Sequence, residues 1–191
     1  EKFADIKGVK RIIGNLEKLS FETFHDTKHP PVQVANIMTV HDTAPHLIEG
    51  FDGRSRAFVQ IQQGCDHRCT FCIIPFARGP NRSVPLKSII RQVQILVDSG
   101  YNEIVLTGVD IASYGLDFSG EGSLGSVVQA ILKQVPSLER LRLSSIDPAI
   151  KDKLLEHAFK DEERLMPHLH LSLQAMDNMI LKRMKRRHRI E

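Results

Sequence analysis

The sequence predicts an α/β fold, and three observations support that prediction. Strand and helix patterns alternate beyond Arg54, the helices carry apolar residues at one-face spacing, and proline or glycine marks most helix ends. Because a parallel sheet needs a crossover helix between successive strands, the alternation indicates consecutive βα units. About four units fit this chain, so we expect a partial (β/α) barrel, truncated after the fourth unit; an open doubly wound sheet satisfies the same pattern.

The elements of this domain are predicted in order along residues 55–191. The four strands are expected at 57–62, 103–107, 138–144 and 168–174. The first helix is expected between Pro85 and Gly100, and the second at 124–135 before a proline. A third helix is expected from Pro148, and a basic helix from Asp177.

The fourth predicted strand separates polar from apolar side chains by strict alternation. Leucines at 169, 171 and 173 are expected to pack beneath the outer helices. Polar residues at 168, 170, 172 and 174 are then expected to line the inside of the barrel. For the two histidines among them, a hydrogen-bonded structural role is the simpler interpretation.

The first 54 residues lack the regular alternation of strand and helix patterns found in the rest of the chain. Residues 1–24 predict a short strand around 10–13 and a helical stretch from Leu16, which is too little for a domain. Residues 25–54 lose periodicity and collect prolines, so they predict a linker with one short strand at 32–40.

Composition excludes some classes of protein. The longest apolar runs are far shorter than the roughly 20 residues that span a bilayer, and no secretory signal is recognisable, so no membrane association and a cytoplasmic location are expected. The net charge of +3 gives a weak hint of an anionic partner. The basic run at 182–189 either contacts RNA phosphates or forms a solvated helix face.

All three cysteines of the chain lie within eight residues, directly after the first predicted strand. Cys65, Cys69 and Cys72 therefore sit at the end of the sheet where α/β folds place their active sites. Thiolates favour iron–sulfur clusters, zinc or copper. Three thiolates leave one iron of a four-iron cluster open to a cofactor, whereas a zinc site would add His67 or another histidine as the fourth ligand.

The spacing of these cysteines, with Phe71 before the last of them, resembles the signature of the radical S-adenosylmethionine (SAM) superfamily. Longer stretches are similar to the methylthiotransferase family, and within it to the branch that modifies threonylcarbamoyladenosine in tRNA. These stretches are 63–75, 78–79, 82–83, 106–110, 113–115, 142–145 and 170–174. The fold implied is the partial barrel of the radical SAM type.

The resemblance implies a cofactor set and a reaction. Cys65, Cys69 and Cys72 would hold a [4Fe-4S] cluster that binds SAM and reduces it to a 5′-deoxyadenosyl radical, so that an adenine carbon of tRNA receives a methylthio group. A flavodoxin- or ferredoxin-like protein would supply the electron. The implied cofactor-binding residues are Phe71, Thr107, Gly108, Val109, Asp110, Ser144, Ser145, Ser172 and Gln174.

For some of these residues a structural role competes with the implied one. Asp110 pairs with the amino group of SAM or simply caps a helix, and Ser144 and Ser145 bind cofactor or cap the turn before Pro148.

Two departures from the family pattern limit the resemblance. Residues 1–24 resemble the end of the family's amino-terminal domain, yet no cysteine precedes Cys65. A second [4Fe-4S] cluster is expected in the full-length protein with ligands that this chain does not contain, so the chain alone is not expected to complete the reaction. Ala175 and Met176 also stand where the family commonly has serine and glycine.

Two alternatives of different kinds remain at this stage. One is a methylthiotransferase acting on a ribosomal protein, and the other is a non-catalytic zinc-dependent RNA-binding module.

Overall fold

A computed structural model of the protein describes residues 3–25, 30–41, 43, 50, 53–120 and 122–190. Its first elements are two short strands, β1 (Ile12–Ile13) and β2 (Val32–Gln33), which pair in parallel. Helix α1 (Phe21–His25) lies between them in the chain. Both strands are shorter than predicted, and a single 3-10 turn at Ile37–Thr39 replaces the rest of the second one.

The predicted linker at 25–54 is described only in part, because residues 26–29, 42, 44–49 and 51–52 lie outside the described residues. The proposed division into 1–24, 25–54 and 55–191 therefore remains a prediction. The described part of the linker contributes β2 to the small strand pair, so it is joined to the segment before it by backbone hydrogen bonds.

The main sheet confirms the predicted α/β fold. Its strands are β3 (Ala57–Gln63), β4 (Arg82–Ser83), β5 (Glu103–Gly108) and β6 (Arg140–Leu143), in the order β4-β3-β5-β6. The strands β3, β5 and β6 are parallel neighbours, and β4 is a short antiparallel addition at the edge. Three of the four predicted parallel strands are thus present.

A short helix, α2 (Ile74–Arg78), lies between β3 and β4 in the chain. Three longer helices cover one face of the sheet: α3 (Leu86–Asp98), α4 (Leu124–Gln134) and α5 (Lys153–Asp161). Their apolar residues pack on Ala57, Val59 and Ile61 of β3 and on the matching residues of β5 and β6. Fully burying one Leu or Ile side chain stabilises a fold by about 1.5–3 kcal/mol. Alternation along β3 directs Phe58 and Gln60 to the opposite face, which these helices do not cover.

The third predicted helix begins later than the sequence indicated. Pro148 does not open it, because residues 147–150 form a turn in which Asp147 accepts hydrogen bonds from Ala149 and Ile150. Helix α5 starts after Asp152, whose carboxylate accepts the backbone N–H of Leu155 at 3.1 Å. The other oxygen of Asp152 accepts the N–H of Gly125 at 2.7 Å, so this cap also ties α5 to α4.

The prediction of a fourth strand at 168–174 is wrong. Within this described segment only one parallel bridge forms, between Leu171 and Ile146. Leu173 and Ala175 donate to carbonyls only two residues earlier, which turns the backbone away from a continuous ladder. A second parallel bridge joins Leu165, before this segment, to Leu141 on the edge of β6 that does not pair with β5.

The expected burial of the leucines in this segment is also wrong. Leu169, Leu171 and Leu173 are 40–47% exposed, because no ladder holds their side of the segment against the helices. Leu169 and Leu171 border a shallow apolar groove beside α5.

The basic helix is shorter than the charge run suggested. Helix α6 spans Asn178–Arg183 and begins, as predicted, at Asp177, whose side chain caps it. Lys185 then adopts a positive φ of 56°, so the run at 182–189 leaves the helix at its second residue and is not one helix face. Leu181 anchors the helix in the interior, whereas Ile180 is exposed.

Within the part of the chain that is described, none of the helices is long and apolar enough to cross a membrane.

Candidate functional site

The three cysteines lie in the loop that leaves β3 and enters α2 (Ile74–Arg78), at the carboxyl end of the parallel strands. All three are half-buried and in the free thiol form. Cys65 donates its backbone N–H to Gly79 at 3.0 Å, and Cys72 donates to Cys69 at 3.1 Å. These bonds fold the loop back on itself, which brings its two ends together.

Gly64 makes the loop possible at its first turn. Its φ of +69° is unfavourable for other residues, and a Cβ atom there would collide with the carbonyl group of Pro80. The close approach of these two backbone segments lets β4 pair with the end of β3.

The second part of the site is the loop that follows β5. Thr107 and Gly108 end the strand, and Val109 and Asp110 lead into a 3-10 turn at Ile111–Ser113. Neighbouring parallel strands end at the same edge of a sheet, so this loop lies beside the cysteine loop.

Gln62 joins the two loops, and sequence analysis did not identify it. This fully buried side chain accepts the backbone N–H of Val109 at 3.0 Å and of Asp110 at 2.7 Å. Its amide nitrogen donates to the carbonyl of Gly64 at 2.7 Å. Only its position at a strand end, directly before the cysteines, hinted at a role.

Asp110 is the most heavily engaged polar group of the site. Its Oδ2 atom lies 2.8 Å from Nε2 of His67, accepts the hydroxyl of Ser113 at 2.7 Å and lies 3.9 Å from Sγ of Cys65. Its side chain makes no capping bond to the turn that follows, so capping does not explain this aspartate.

The pKa values of two ionisable groups of the site are shifted in opposite directions. Burial raises the pKa of Asp110, but hydrogen bonds from His67 and Ser113 outweigh it, so its pKa lies below the usual range. Burial raises the pKa of the Cys65 thiol to about 11, against a hydrogen bond from the His67 backbone. The nearby carboxylate of Asp110 and the other two thiols contribute to this increase in the pKa. A metal must therefore displace the Cys65 proton in order to bind.

A third layer of polar contacts surrounds these loops and was also missed. Asn81 donates its backbone N–H to Asp66 at 3.0 Å and its side chain to Asp117 at 3.0 Å. Asp117 also accepts the N–H of Ser83 at 2.8 Å. The sequence carried no signal for this network, since the residues that bond to one another are 15 to 36 residues apart.

The remaining predicted cofactor residues lie on the cysteine loop, at the end of β6 and in the segment after it. Ser144 extends β6 by donating its N–H to Leu106 at 2.9 Å, and the hydroxyl of exposed Ser145 lies 2.8 Å from Nδ1 of His170. Gln174 is exposed, with a positive φ of 68°. Phe71 is 54% exposed on the cysteine loop.

Ser172 is the member of this group with a described link to the cysteines. Its carbonyl accepts a hydrogen bond from Arg186 at 2.9 Å, and the same guanidinium reaches the sulfur of Cys69. The roles predicted for all of these residues remain predictions.

The donor set of the cysteine loop fits an iron–sulfur cluster. Three free thiols of one loop are soft ligands, and their backbone is held in place by Gly64, Gly79 and Gln62. A different group of ligand atoms, from Cys65, His67 and Asp110, also lies within 4.8 Å of one another. In the structure, Nε2 of His67 lies 2.8 Å from Oδ2 of Asp110, so this histidine is hydrogen-bonded to a carboxylate.

Comparisons with known proteins agree with the chemistry of this donor set. Residues 59–191 match the family described as the radical SAM superfamily. The chain is 48% identical, over 97% of its length, to a threonylcarbamoyladenosine tRNA methylthiotransferase of Rickettsia prowazekii. It is 39% identical, over 71% of its length, to a tRNA-2-methylthio-N(6)-dimethylallyladenosine synthase of Ehrlichia canis.

These relatives are much longer than the chain, which covers 44% of the first and 31% of the second. Among solved structures, the radical SAM methyltransferase TsrM of Kitasatospora setae, with cobalamin and a [4Fe-4S] cluster bound, superposes with a TM-score of 0.53 at 16% identity. That match covers 65% of this chain and 22% of the methyltransferase, and it supports the fold.

Proposed function

The chain belongs to the radical SAM superfamily, and from that premise we propose that it is the core of a tRNA methylthiotransferase acting on threonylcarbamoyladenosine. The observation that carries the proposal is the identity of 48% along 97% of the chain to a relative of that name. Similarity of this extent includes the cysteine loop and the loop after β5. Since the chain spans less than half of that relative, the activity of the whole protein is proposed rather than read from this part.

Cys65, Cys69 and Cys72 are proposed to hold a [4Fe-4S] cluster. When bound, such a cluster supplies the electron that splits SAM. The protein contributes the loop geometry: the turn at Gly64 and the bonds from Gln62 fix the three thiols at the end of β3.

The loop at Thr107–Asp110 is proposed to bind the methionine part of SAM, with Asp110 facing its amino group. The low pKa of Asp110 keeps its carboxylate charged, as recognition of an ammonium group requires. His67 and Ser113 already hold Oδ2, so the carboxylate is oriented before a ligand arrives. Phe71, Ser144, Ser145, Ser172 and Gln174 are proposed as further cofactor contacts.

The partners and setting follow from the same proposal. The substrate is tRNA, the electron donor is a flavodoxin- or ferredoxin-like protein, and the compartment is the cytoplasm. Residues 55–191 form the radical SAM core, and residues 1–24 are the end of an amino-terminal domain that would carry a second cluster.

The uncovered face of the sheet presents Arg140 and Arg142 beside Glu103, which gives it polar character suited to a ligand.

Anaerobic reconstitution tests the cluster. We expect a brown protein, bleached by dithionite, with about four iron and four sulfide atoms per chain. Replacing any of the three cysteines by serine should abolish the cluster, whereas the His67→Gln variant should retain it. Zinc without sulfide, lost in His67→Gln, would overturn the proposal.

The substrate requires the full-length enzyme. Parallel assays against threonylcarbamoyladenosine-containing tRNA and ribosomal protein should give methylthiolated product only with the tRNA. Product on the ribosomal protein would move the chain to the other branch.

A further inference from the structure

A sharp turn after α6 directs one arginine into the protein. Lys185 N–H bonds to the carbonyl of Lys182 at 3.0 Å, and Arg186 N–H bonds to that of Leu181 at 2.9 Å. This is the double hydrogen bond of a Schellman cap, with Lys185 in the left-handed position that glycine usually takes. The cap reverses the chain, so that Arg186 points inward while its neighbours in the basic run are exposed.

The guanidinium of Arg186 is buried and held from two sides. Its side chain is 8% exposed, and its Nη2 atom lies 2.8 Å from Asp147, which is 9% exposed. The same Nη2 donates to the carbonyl of Ser172 at 2.9 Å. Two partners on the segments after β6 thus fix the plane of the guanidinium.

The other terminal nitrogen faces the cysteine loop. Nη1 of Arg186 lies 3.6 Å from Sγ of Cys69, within hydrogen-bond distance for sulfur. The backbone of the same turn also reaches this loop, because Thr70 donates its N–H to Met184 at 3.2 Å. Two neighbouring residues of the cysteine loop are therefore bonded to the turn that carries Arg186.

We propose that Arg186 is a positioning residue that tunes the cluster by donating a charged hydrogen bond to the sulfur of Cys69; this inference rests on the cluster of the proposed function. A cluster gains negative charge when it is reduced, and hydrogen bonds to its sulfurs are among the features that set its potential. A fixed cationic donor stabilises the reduced form more than the oxidised one. Asp147 offsets part of this charge but binds the opposite nitrogen. Arg186 therefore makes the cluster easier to reduce.

Redox titration of the reconstituted protein, followed by the electron paramagnetic resonance signal of the reduced cluster, tests this role. In Arg186→Gln we expect the ratio of reduced to oxidised cluster at a fixed potential to fall about tenfold, equivalent to about 59 mV for one electron. Arg186→Lys keeps the charge without the planar fork and should fall between that variant and the unsubstituted protein. Arg189→Gln removes the same charge from an exposed neighbour and should change the ratio less than about twofold.

A second variant guards against loss of structure. Because Arg186→Gln removes the closer partner of the buried Asp147 and leaves only Arg187 at 3.7 Å, the double variant R186Q/D147N removes both charges of the close pair and should show the same direction of shift. An unchanged potential in Arg186→Gln would overturn the proposal. Failure of every Arg186 variant to assemble a cluster, with unfolding like that of the unsubstituted protein, would also overturn it and would assign the residue to assembly. Absence of a cluster from the unsubstituted protein would instead refute the proposed function.

Discussion

Replacing Gln62 by leucine should separate the two loops of the site. The side chains are similar in volume, so the change removes hydrogen bonds without leaving a large cavity. The backbone N–H groups of Val109 and Asp110 lose their acceptor, and the carbonyl of Gly64 loses its donor.

The size of the effect follows from these orphaned groups. A buried polar group left without a partner costs about 1–3 kcal/mol, so the two N–H groups alone cost about 2–6 kcal/mol. Leucine recovers part of this through its apolar surface. We expect the free energy of unfolding to fall by about 3 kcal/mol, which lowers the urea midpoint by about 1.5 M at a slope of about 2 kcal/mol per M.

Urea unfolding of the cluster-free protein measures the change without a contribution from metal binding. Gln60→Leu is the matched control: Gln60 lies on the same strand, is half-buried and bonds to the carbonyl of Gln62 at 3.5 Å, so its loss should cost less than about 1 kcal/mol. If Gln62→Leu cost no more than this control, the reasoning that Gln62 joins the loops would be wrong.

Three further predictions concern other parts of the fold. Gly64→Ala should prevent cluster assembly, measured as iron and sulfide content, because its Cβ meets the backbone of Pro80 at a positive φ. Burial, with the charge of Asp117, raises the pKa of Tyr114 from 10.0 to about 12, so the folded state holds a proton that the unfolded state releases, and the urea midpoint should fall between about pH 10 and 12. Tyr114→Phe should make that fall smaller and leave the part below about pH 11 to which the raised pKa of Cys65 contributes. Arg164 donates to four carbonyls at the end of α4, so Arg164→Leu should lower the melting temperature by about 6 °C, for a loss of about 2 kcal/mol; an unchanged value would show that water replaces these bonds.

The elements that sequence analysis predicted well share a physical feature. Helices α3 and α4 and strands β3 and β5 have characteristic apolar patterns, so the conformation of each can be predicted from a short stretch of sequence. The cysteine site was predictable for the same reason, since its three thiols lie within one loop.

The segment at 168–174 shows where prediction from a short stretch of sequence fails. Its alternation is as regular as that of β6, yet only Leu171 pairs with a neighbour. Alternation describes which residues share a face, whereas a strand forms only where a neighbour supplies backbone partners. The helix expected from Pro148 failed similarly, because the cap at Asp152 is fixed by contact with Gly125.

The amino-acid sequence by itself determined the α/β class and the three thiols that suit an iron–sulfur cluster, because both depend on spacing along the chain. Only the tertiary structure decided that Gln62 bonds to the Val109 and Asp110 backbone, that Asp110 is held by His67, and that Arg186 reaches Cys69. These partners are 43 to 117 residues apart. Hydrogen bonds over such separations form only after packing has brought the chain segments together, and local sequence patterns carry no record of them.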